Sequence, residues 1–372
     1  MSREAVVASR RAVVKLGTRV LTHEDGRIAL SRLFAVIEAS AAAWRLGREV
    51  LIVSSGAVGL GREALGLVGT PVDLATRQAC AAVGQVRLMS LYEEGFSRMG
   101  LRCAQVLLTQ SDFDDRARYQ HLRSALMAML ELGVVPIINE NDVVATEELA
   151  LGEGKVFGDN DKLSALVAAR LGADLLVLLT DVAGVYDRDP RQHPDARLLE
   201  RIDGAEAIEI GGSVSGAGRG GMRSKIEAAN VASRSGCNAV IASGREHQSL
   251  ERLFAGEPVG TFFPARQSLD ARRRWIAFAT AVRGGLRVDA GAVRALRERG
   301  ASLLAAGVTA VEGDFEAGDV VTLRGPEGAM VGRGVVTCEA EVARRWARGE
   351  APQGVGNRHA LIPRDDLVLE EA

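Results

Sequence analysis

The chain has 372 residues, enough for two or three domains with a proper core. Hydrophobic residues make up 47% and charged residues 25%, and the formal net charge is −2, a balance that argues against a general nucleic-acid or membrane-surface binder. Cys80, Cys103, Cys237 and Cys338 lie far apart with no C-x-x-C and read as buried, reduced thiols, while the histidines show no metal-ligand spacing. Neither a signal peptide nor an apolar run long enough to span a bilayer is visible, so a cytoplasmic protein without a membrane partner is expected.

Only four of the 46 basic residues are lysine (Lys15, Lys155, Lys162 and Lys225), and the other 42 are arginine. Where arginine serves for every generic positive charge, a surviving lysine marks a place that wants a compact ammonium and cannot take a guanidinium. All four lie in Gly-rich or polar strand-to-loop contexts rather than on a solvated helix face.

In chain order, residues 12–18 read as a buried strand running into a glycine turn, with Lys15 near its carboxyl end, where parallel sheets hold their ligands. Residues 30–46 carry a helical apolar pattern ending at Gly47. A second strand, 49–53, opens into the small-residue loop Ser54-Ser55-Gly56-Ala57, whose amides suit an anion but which would also serve as a plain turn. Residues 74–99 look helical with small residues on one face. Residues 101–108 read as a strand, and 112–119 as the charged start of a solvated helix. The apolar run 134–138 ends in Asn139-Glu140-Asn141-Asp142.

The densest polar cluster follows, Gly158-Asp159-Asn160-Asp161-Lys162-Leu163-Ser164, at the start of an apolar helical pattern. Asn160 or Asp161 would serve there as an ordinary N-cap, but four polar residues in a row exceed what a cap requires. A helix N-terminus also favours anions, so the cluster suggests handling of a negatively charged group in transfer. A strand at 175–179 runs into Thr180-Asp181, and a turn-rich excursion occupies 187–194. A Gly/Ser loop at 213–225 leads to a helix at 226–235 and a last strand at 239–242. Strands alternating with helices predict an α/β domain with a mainly parallel sheet, and the polar clusters all fall at strand ends. From about Arg283 the texture becomes Gly-rich and β-patterned, with one short helix at 290–299, which predicts a small second domain after a linker.

Phosphoryl transfer needs positioning and charge neutralisation more than covalent chemistry from the protein. Two lysines from separate segments can flank the group in transit, glycine amides can hold the remaining phosphates, and a carboxylate such as Asp161 can orient the lysines. The chain has neither G-x-x-x-x-G-K-[ST] nor the H-R-D and D-F-G set of protein kinases.

The segments VVKLGT, VSSGAVGLGRE, PIINENDVVAT, KVFGDNDKLSALVA, LLTDVAGVYDRDP and VSGAGRGGMRSK come in the order found in the amino-acid kinase family, which this chain resembles over about residues 12–265. The pairing of NEND with GDND is similar to the branch that phosphorylates glutamate. The resemblance implies a three-layer αβα sandwich with a mainly parallel central sheet over residues 8–265, a linker at 266–282, and a β-rich unit at 283–361 similar to the PUA domain. It implies ATP-dependent phosphorylation of the side-chain carboxylate of L-glutamate to L-glutamyl 5-phosphate, the first step of proline synthesis.

Carried over by position, Lys15 and Lys225 would neutralise the transferring phosphoryl group and Asp161 would hold them. Ser55, Asp142 and Asn160 would bind glutamate, with Asp142 a partner for its ammonium. Lys15, Thr180, Asp181, Arg219, Gly220, Gly221, Met222, Arg223, Ser224 and Lys225 would bind ATP, and Mg²⁺ would ride on the ATP phosphates with no protein cage. Lys155 is expected to contact a substrate carboxylate, and Lys162 has no assigned role.

The chain departs from the family's usual residues at Arg219 and Ser224, where threonine is common, and at His121, usually asparagine. Proline as feedback inhibitor, a homo-oligomer (dimer or tetramer) and a handover to the following glutamyl phosphate reductase are further implications. PUA domains in other proteins bind RNA, but residues 283–361 hold eleven arginines against ten acids, so no basic patch is expected and a nucleic-acid partner is not anticipated. A kinase for aspartate or acetylglutamate is the competing enzyme reading.

Overall fold

The computed structural model describes residues 3–23, 26–109, 111–144, 160–190, 192–203, 221–246, 248–266, 276, 282–350 and 360–370. The chain divides into two compact units, residues 1–268 and 269–372.

The first unit is built on seven strands: β1 (Arg11–Leu16), β2 (Glu49–Ser54), β3 (Arg102–Leu108), β4 (Val134–Glu140), β5 (Leu175–Thr180), β6 (Asn238–Ser243) and β7 (Thr261–Phe263). They pair in the order β3-β4-β2-β1-β5-β6-β7, all parallel except the last, which runs antiparallel to β6. Past the first residues of β1 and β2 the central strands are buried and almost wholly apolar on both faces, as a sheet covered by helices on both sides demands.

Side-chain alternation divides the layers. Ala12, Val14 and Leu16 of β1, Val50 and Ile52 of β2, and Leu175, Val177 and Leu179 of β5 share one core with helices α3 (Leu30–Arg45) and α5 (Leu74–Arg98). Val13, Lys15, Leu176, Leu178 and Thr180 therefore face the other layer, which is formed by α8 (Asn160–Leu171) and α9 (Met222–Arg234). The shorter helices of this unit are α1 (Glu4–Val7), α2 (Thr18–Leu21), α4 (Ala57–Ala64), α6 (Ser111–Asp114), α7 (Arg116–Glu131) and α10 (Ser249–Phe254). The result is the expected three-layer αβα sandwich with a mainly parallel sheet.

Two details set the site. Gly56 takes φ 101°, a conformation glycine adopts without penalty, and this lets β2 turn at once into α4. The glycines of α4 and α5 then bring the two backbones into contact. A Cβ on Gly84 would run into the Ala57 carbonyl oxygen, and one on Gly61 into the Cys80 carbonyl oxygen. Residues 57–64 are thus a helix, which begins at the last residue of the loop expected at 54–57; the sequence reading assigns no element to 58–64.

The second unit holds a five-stranded mixed sheet in the order β10-β8-β11-β12-β14 and a two-stranded pair, β13-β9. Its strands are β8 (Gly284–Val288), β9 (Leu303–Leu304), β10 (Val308–Gly313), β11 (Val320–Arg324), β12 (Met330–Val335), β13 (Ala360–Ile362) and β14 (Leu367–Leu369), with helices α11 (Ala290–Arg299) and α12 (Ala340–Ala347). Leu286, Val288, Leu296, Val321, Leu323 and Ile362 form its core, and Ile276, from the stretch read as a linker, is buried with Val320 and Val335. Among the described residues no helix is long and apolar enough to cross a membrane.

Candidate active site

The carboxyl ends of β1, β2, β4, β5 and β6 bring their polar residues to one rim of the first unit. In order across the sheet these are Asn139 and Glu140, Ser54 and Ser55, Lys15 and Gly17, Thr180 and Asp181, then Ser243 and Gly244. The ends of β1 and β5 are tied directly, Gly17 N–H donating to the Leu179 carbonyl at 3.2 Å. α8 packs over β1 and its neighbours β5 and β2, and the order of strands reverses between β1 and β5, the place where parallel sheets hold their ligands.

Lys15, Asp161 and Lys225 meet at this junction. Lys15 Nζ forms an ion pair with Asp161 Oδ1 at 2.5 Å, and Lys225 Nζ donates to Oδ2 at 3.0 Å. Ser224 Oγ also donates to Oδ2, at 3.1 Å. Asp161 is fully buried, and Lys15 and Lys225 are 3% and 7% exposed. Burial by itself pushes the Asp161 carboxyl up, but the two ammonium charges and their hydrogen bonds outweigh it and hold it below the ordinary carboxylate value. The triad carries one positive charge in excess, and α8 and α9 both present their first turns to it, so their dipoles add to the positive field. Such an arrangement neutralises a multiply charged anion.

The sequence reading placed Lys225 at the end of a loop with the helix starting at Ile226. The helix instead begins at Met222, after Gly221 in extended conformation as its N-cap. Met222 and Arg223 are good helix formers, and this start puts Ser224 and Lys225 in the first turn, facing α8.

Asn160 lies beside Asp161 and reaches the opposite way. Its Nδ2 donates to the Ser54 carbonyl at 2.9 Å, to Ser55 Oγ at 2.9 Å and to Asn139 Oδ1 at 3.1 Å. Neither Asn160 nor Asp161 therefore spends its side chain as a helix cap. Behind this contact, Asn139 Nδ2 donates to Gln85 Oε1 at 2.8 Å, and Ser54 Oγ shares a 2.9 Å hydrogen bond with Tyr92 Oη. Burial pushes the Tyr92 hydroxyl well above its ordinary value, so it stays a neutral phenol.

Thr180 and Asp181 sit at the end of β5. Thr180 Oγ1 donates to Asp181 Oδ1 at 3.2 Å, and Arg19 Nη1 meets Asp181 Oδ2 at 3.3 Å. Burial raises the Asp181 carboxyl, but hydrogen bonds from its own backbone, Arg19 and Thr180 bring it below the usual value. Arg223 points to Glu227 at 2.9 Å on the exposed side of α9. Asp142 lies two residues past β4, at the same rim as Ser55 and Asn160. Lys162 is half-buried on α8, and His121 is exposed on α7. Lys155, Arg219 and Gly220 lie outside the described residues.

Gln85, Tyr92 and Asn139 were not singled out from sequence. Asn139 stood inside a noted polar cluster at a strand end. Gln85 and Tyr92 lie mid-helix among small and apolar residues, where a lone polar residue reads as a solvated face.

The sequence model of the amino acid kinase family matches residues 10–243, and that of the PUA domain matches residues 284–353. The chain is 45% identical to the glutamate 5-kinase of Chromohalobacter salexigens over 376 residues, covering 99% of this chain and 98% of that one. It is 46% identical to the glutamate 5-kinase of Deinococcus radiodurans over 368 residues, covering 96% and 99%. The carbamate kinase from Giardia lamblia bound to AMP-PNP has the same fold at 15% identity, with a TM-score of 0.51, over 69% of this chain and 99% of that one. With a family model spanning well over half its length and near-full-length relatives at such identity, the chain belongs to the amino acid kinase family.

Proposed function

We propose that this protein transfers the γ-phosphoryl group of ATP to the side-chain carboxylate of L-glutamate, giving L-glutamyl 5-phosphate and ADP, the first step of proline synthesis. The observation that carries the reading is the buried Lys15–Asp161–Lys225 triad at the sheet's switch point. The full-length likeness to proteins named glutamate 5-kinase supports glutamate as the acceptor.

In this reading a carboxylate oxygen of glutamate attacks the γ-phosphorus, the new O–P bond forms, and the bond to the β-phosphate oxygen breaks. A side-chain carboxyl is ionised above about pH 5, so the nucleophile needs no general base. Lys15 and Lys225 flank the group in transit and offset its charge. Asp161 positions both. Ser55, Asp142 and Asn160 hold glutamate. Thr180, Asp181 and the segment from Arg219 and Gly220 through Gly221, Met222, Arg223 and Ser224 hold ATP.

Both oxygens of Asp161 face ammonium groups, which fits an orienting carboxylate rather than a metal ligand. Mg²⁺ would accordingly be held by the ATP phosphates and would supply charge neutralisation there, without a ligand from Asp161. Lys155 contacts a substrate carboxylate. The same reading extends to inhibition by proline, to assembly as a dimer or tetramer, to handover of the product to a reductase, and to a cytoplasmic setting. The division into a kinase domain at 8–265, a linker at 266–282 and a PUA-like domain at 283–361 belongs to it as well.

The test is ADP release together with hydroxylamine trapping of the acyl phosphate, using glutamate, aspartate and N-acetylglutamate side by side, with and without proline. Glutamate should give both ADP and hydroxamate, and proline should suppress both. Faster turnover of aspartate or N-acetylglutamate would overturn the substrate assignment.

A further inference from the structure

Arg19 follows directly on VVKLGT and lies outside every segment that carries the family resemblance. The loop that delivers it passes beside the triad. Gly17 N–H is bonded to the Leu179 carbonyl, and a Cβ on Gly17 would stand 3.7 Å from Lys15 Nζ, so the glycine keeps that side of the ammonium clear. Val20, the next residue of α2, is fully buried and lies against Gly244 at the end of β6, where a Cβ would come within 2.6 Å of Val20 Cγ1. α2 is thus packed against β5 and the end of β6.

Arg19 turns to the open side. Its Nη1 meets Asp181 Oδ2 at 3.3 Å, bridging the ends of β1 and β5, and its side chain is 58% exposed. This is the gap at which the order of strands reverses. An exposed ion pair contributes little to stability, so the fold alone does not account for an arginine here. Charge does. With ATP as the donor, its phosphates lie between the two lysines and Asp181, a carboxylate ionised at neutral pH that by itself would repel them. A guanidinium carries several N–H donors in one plane, and the bond to Asp181 is made through Nη1.

We infer that Arg19 is a nucleotide-binding residue: anchored by Asp181, it donates to the phosphates that stay on ADP and so distinguishes a phosphorylated nucleoside from a bare one. The inference rests on the reading of ATP as the phosphoryl donor. Lys15 and Lys225 serve the group in transit, and Arg19 serves the part left behind. A planar fork can engage two phosphate oxygens while one nitrogen stays on a carboxylate, which the compact ammonium of the buried triad cannot do.

The test uses the full-length protein and calorimetric titration with ADP and with adenosine, which differ only in the diphosphate. Neither titration needs an acceptor. Failure of the unaltered chain to phosphorylate glutamate would therefore sink the substrate reading alone, whereas failure to bind ADP would sink both. Arg19→Gln removes the charge at an exposed position and keeps a hydrogen-bonding side chain. The double variant, Arg19→Gln with Asp181→Asn, removes the opposing charge as well.

In Arg19→Gln the Kd of ADP should rise about tenfold, equivalent to about 1.4 kcal/mol, and the Kd of adenosine should stay within about twofold. The KM for Mg·ATP should rise with the Kd of ADP, and the KM for glutamate should stay within about twofold. In the double variant the ratio of the adenosine Kd to the ADP Kd should remain as low as in Arg19→Gln. A return of that ratio to the parent's value would show that Arg19 only masks Asp181, and would overturn the phosphate contact. Equal weakening of ADP and adenosine would make Arg19 a wall of the pocket, and an unchanged Kd for both would make it a surface ion pair; either result would overturn the inference.

Discussion

Replacing Asp161 by asparagine keeps the shape of the triad and removes the one charge that both lysines share. Asp161 is fully buried and lies 2.5 Å from Lys15 Nζ and 3.0 Å from Lys225 Nζ. The variant leaves two buried ammonium groups facing a neutral amide that offers one acceptor oxygen between them. Breaking a buried ion pair from one side costs about 3–5 kcal/mol, because the surviving charge has lost its compensation. The two lysines repel each other once the carboxylate no longer screens them, and each moves off its place. Misplacing a transition-state stabiliser by about 1 Å costs on the order of 100-fold in rate, so kcat should fall about 100- to 1000-fold. Asp161 is buried behind the lysines and its oxygens are engaged by them, so the KM for glutamate should change less than about threefold. Urea unfolding measures the first effect, and ADP release over a range of glutamate concentrations separates the other two. A variant that keeps kcat within about threefold of the parent would refute the positioning role. A rise in KM with kcat intact would make Asp161 a substrate ligand instead.

Lys225→Arg and Lys15→Arg should each lose at least about 100-fold in kcat, because a planar guanidinium does not fit where the ammonium is less than a tenth exposed; near-normal turnover would show that the scarcity of lysine carries no meaning here. Gly84→Ala places a methyl against the Ala57 carbonyl oxygen, so α4 and α5 must part at a cost of about 1–3 kcal/mol, read as a lowered Tm, with a raised KM for glutamate because Ser55 lies two residues before α4. The Asp161 carboxyl sits below its ordinary value, so its contribution to stability is complete above the unfolded value near pH ~3.9 and is lost as pH falls through the folded value; the gap in urea midpoint between the parent and Asp161→Asn should hold constant above about pH 5 and shrink below about pH 4. Because the nucleophile is already ionised, kcat/KM for glutamate should vary less than about twofold between about pH 6.5 and 8, and a one-proton slope in that range would point to a general base.

The parallel sheet was readable because its strands are apolar on both faces, leaving continuous runs such as those of β1, β2 and β5. The convergence of Lys15, Asp161 and Lys225 was readable only in part: Lys15 ends such a run and shares its rim, whereas Asp161 and Lys225 lie in the first turns of helices and were joined to it by the family resemblance. What escaped was whatever depended on helix packing. Gly56, Gly59 and Gly61 have low helix propensity and suggest a loop, yet α4 forms because α5 lies close enough to exclude any side chain at Gly61. Gln85 and Tyr92 escaped because a mid-helix polar residue declares its partner only once α5 is laid against the ends of β2 and β4. β7 has three residues and pairs antiparallel, too short a run to show a period.

Asn160 and Asp161 are consecutive, and this explains why the polar cluster of the sequence is so dense. Neighbouring residues on a helix diverge by about 100°. At the start of α8 this turns Asn160 toward Ser54, Ser55 and Asn139, and Asp161 toward the two lysines. In the proposed function the first direction holds the acceptor and the second holds the phosphoryl group. In-line transfer needs the attacking oxygen and the phosphorus about 3–3.5 Å apart. Two subsites hung from adjacent residues of one rigid turn keep that spacing without relying on the relative placement of separate loops. The same turn adds the dipole that both anionic groups require.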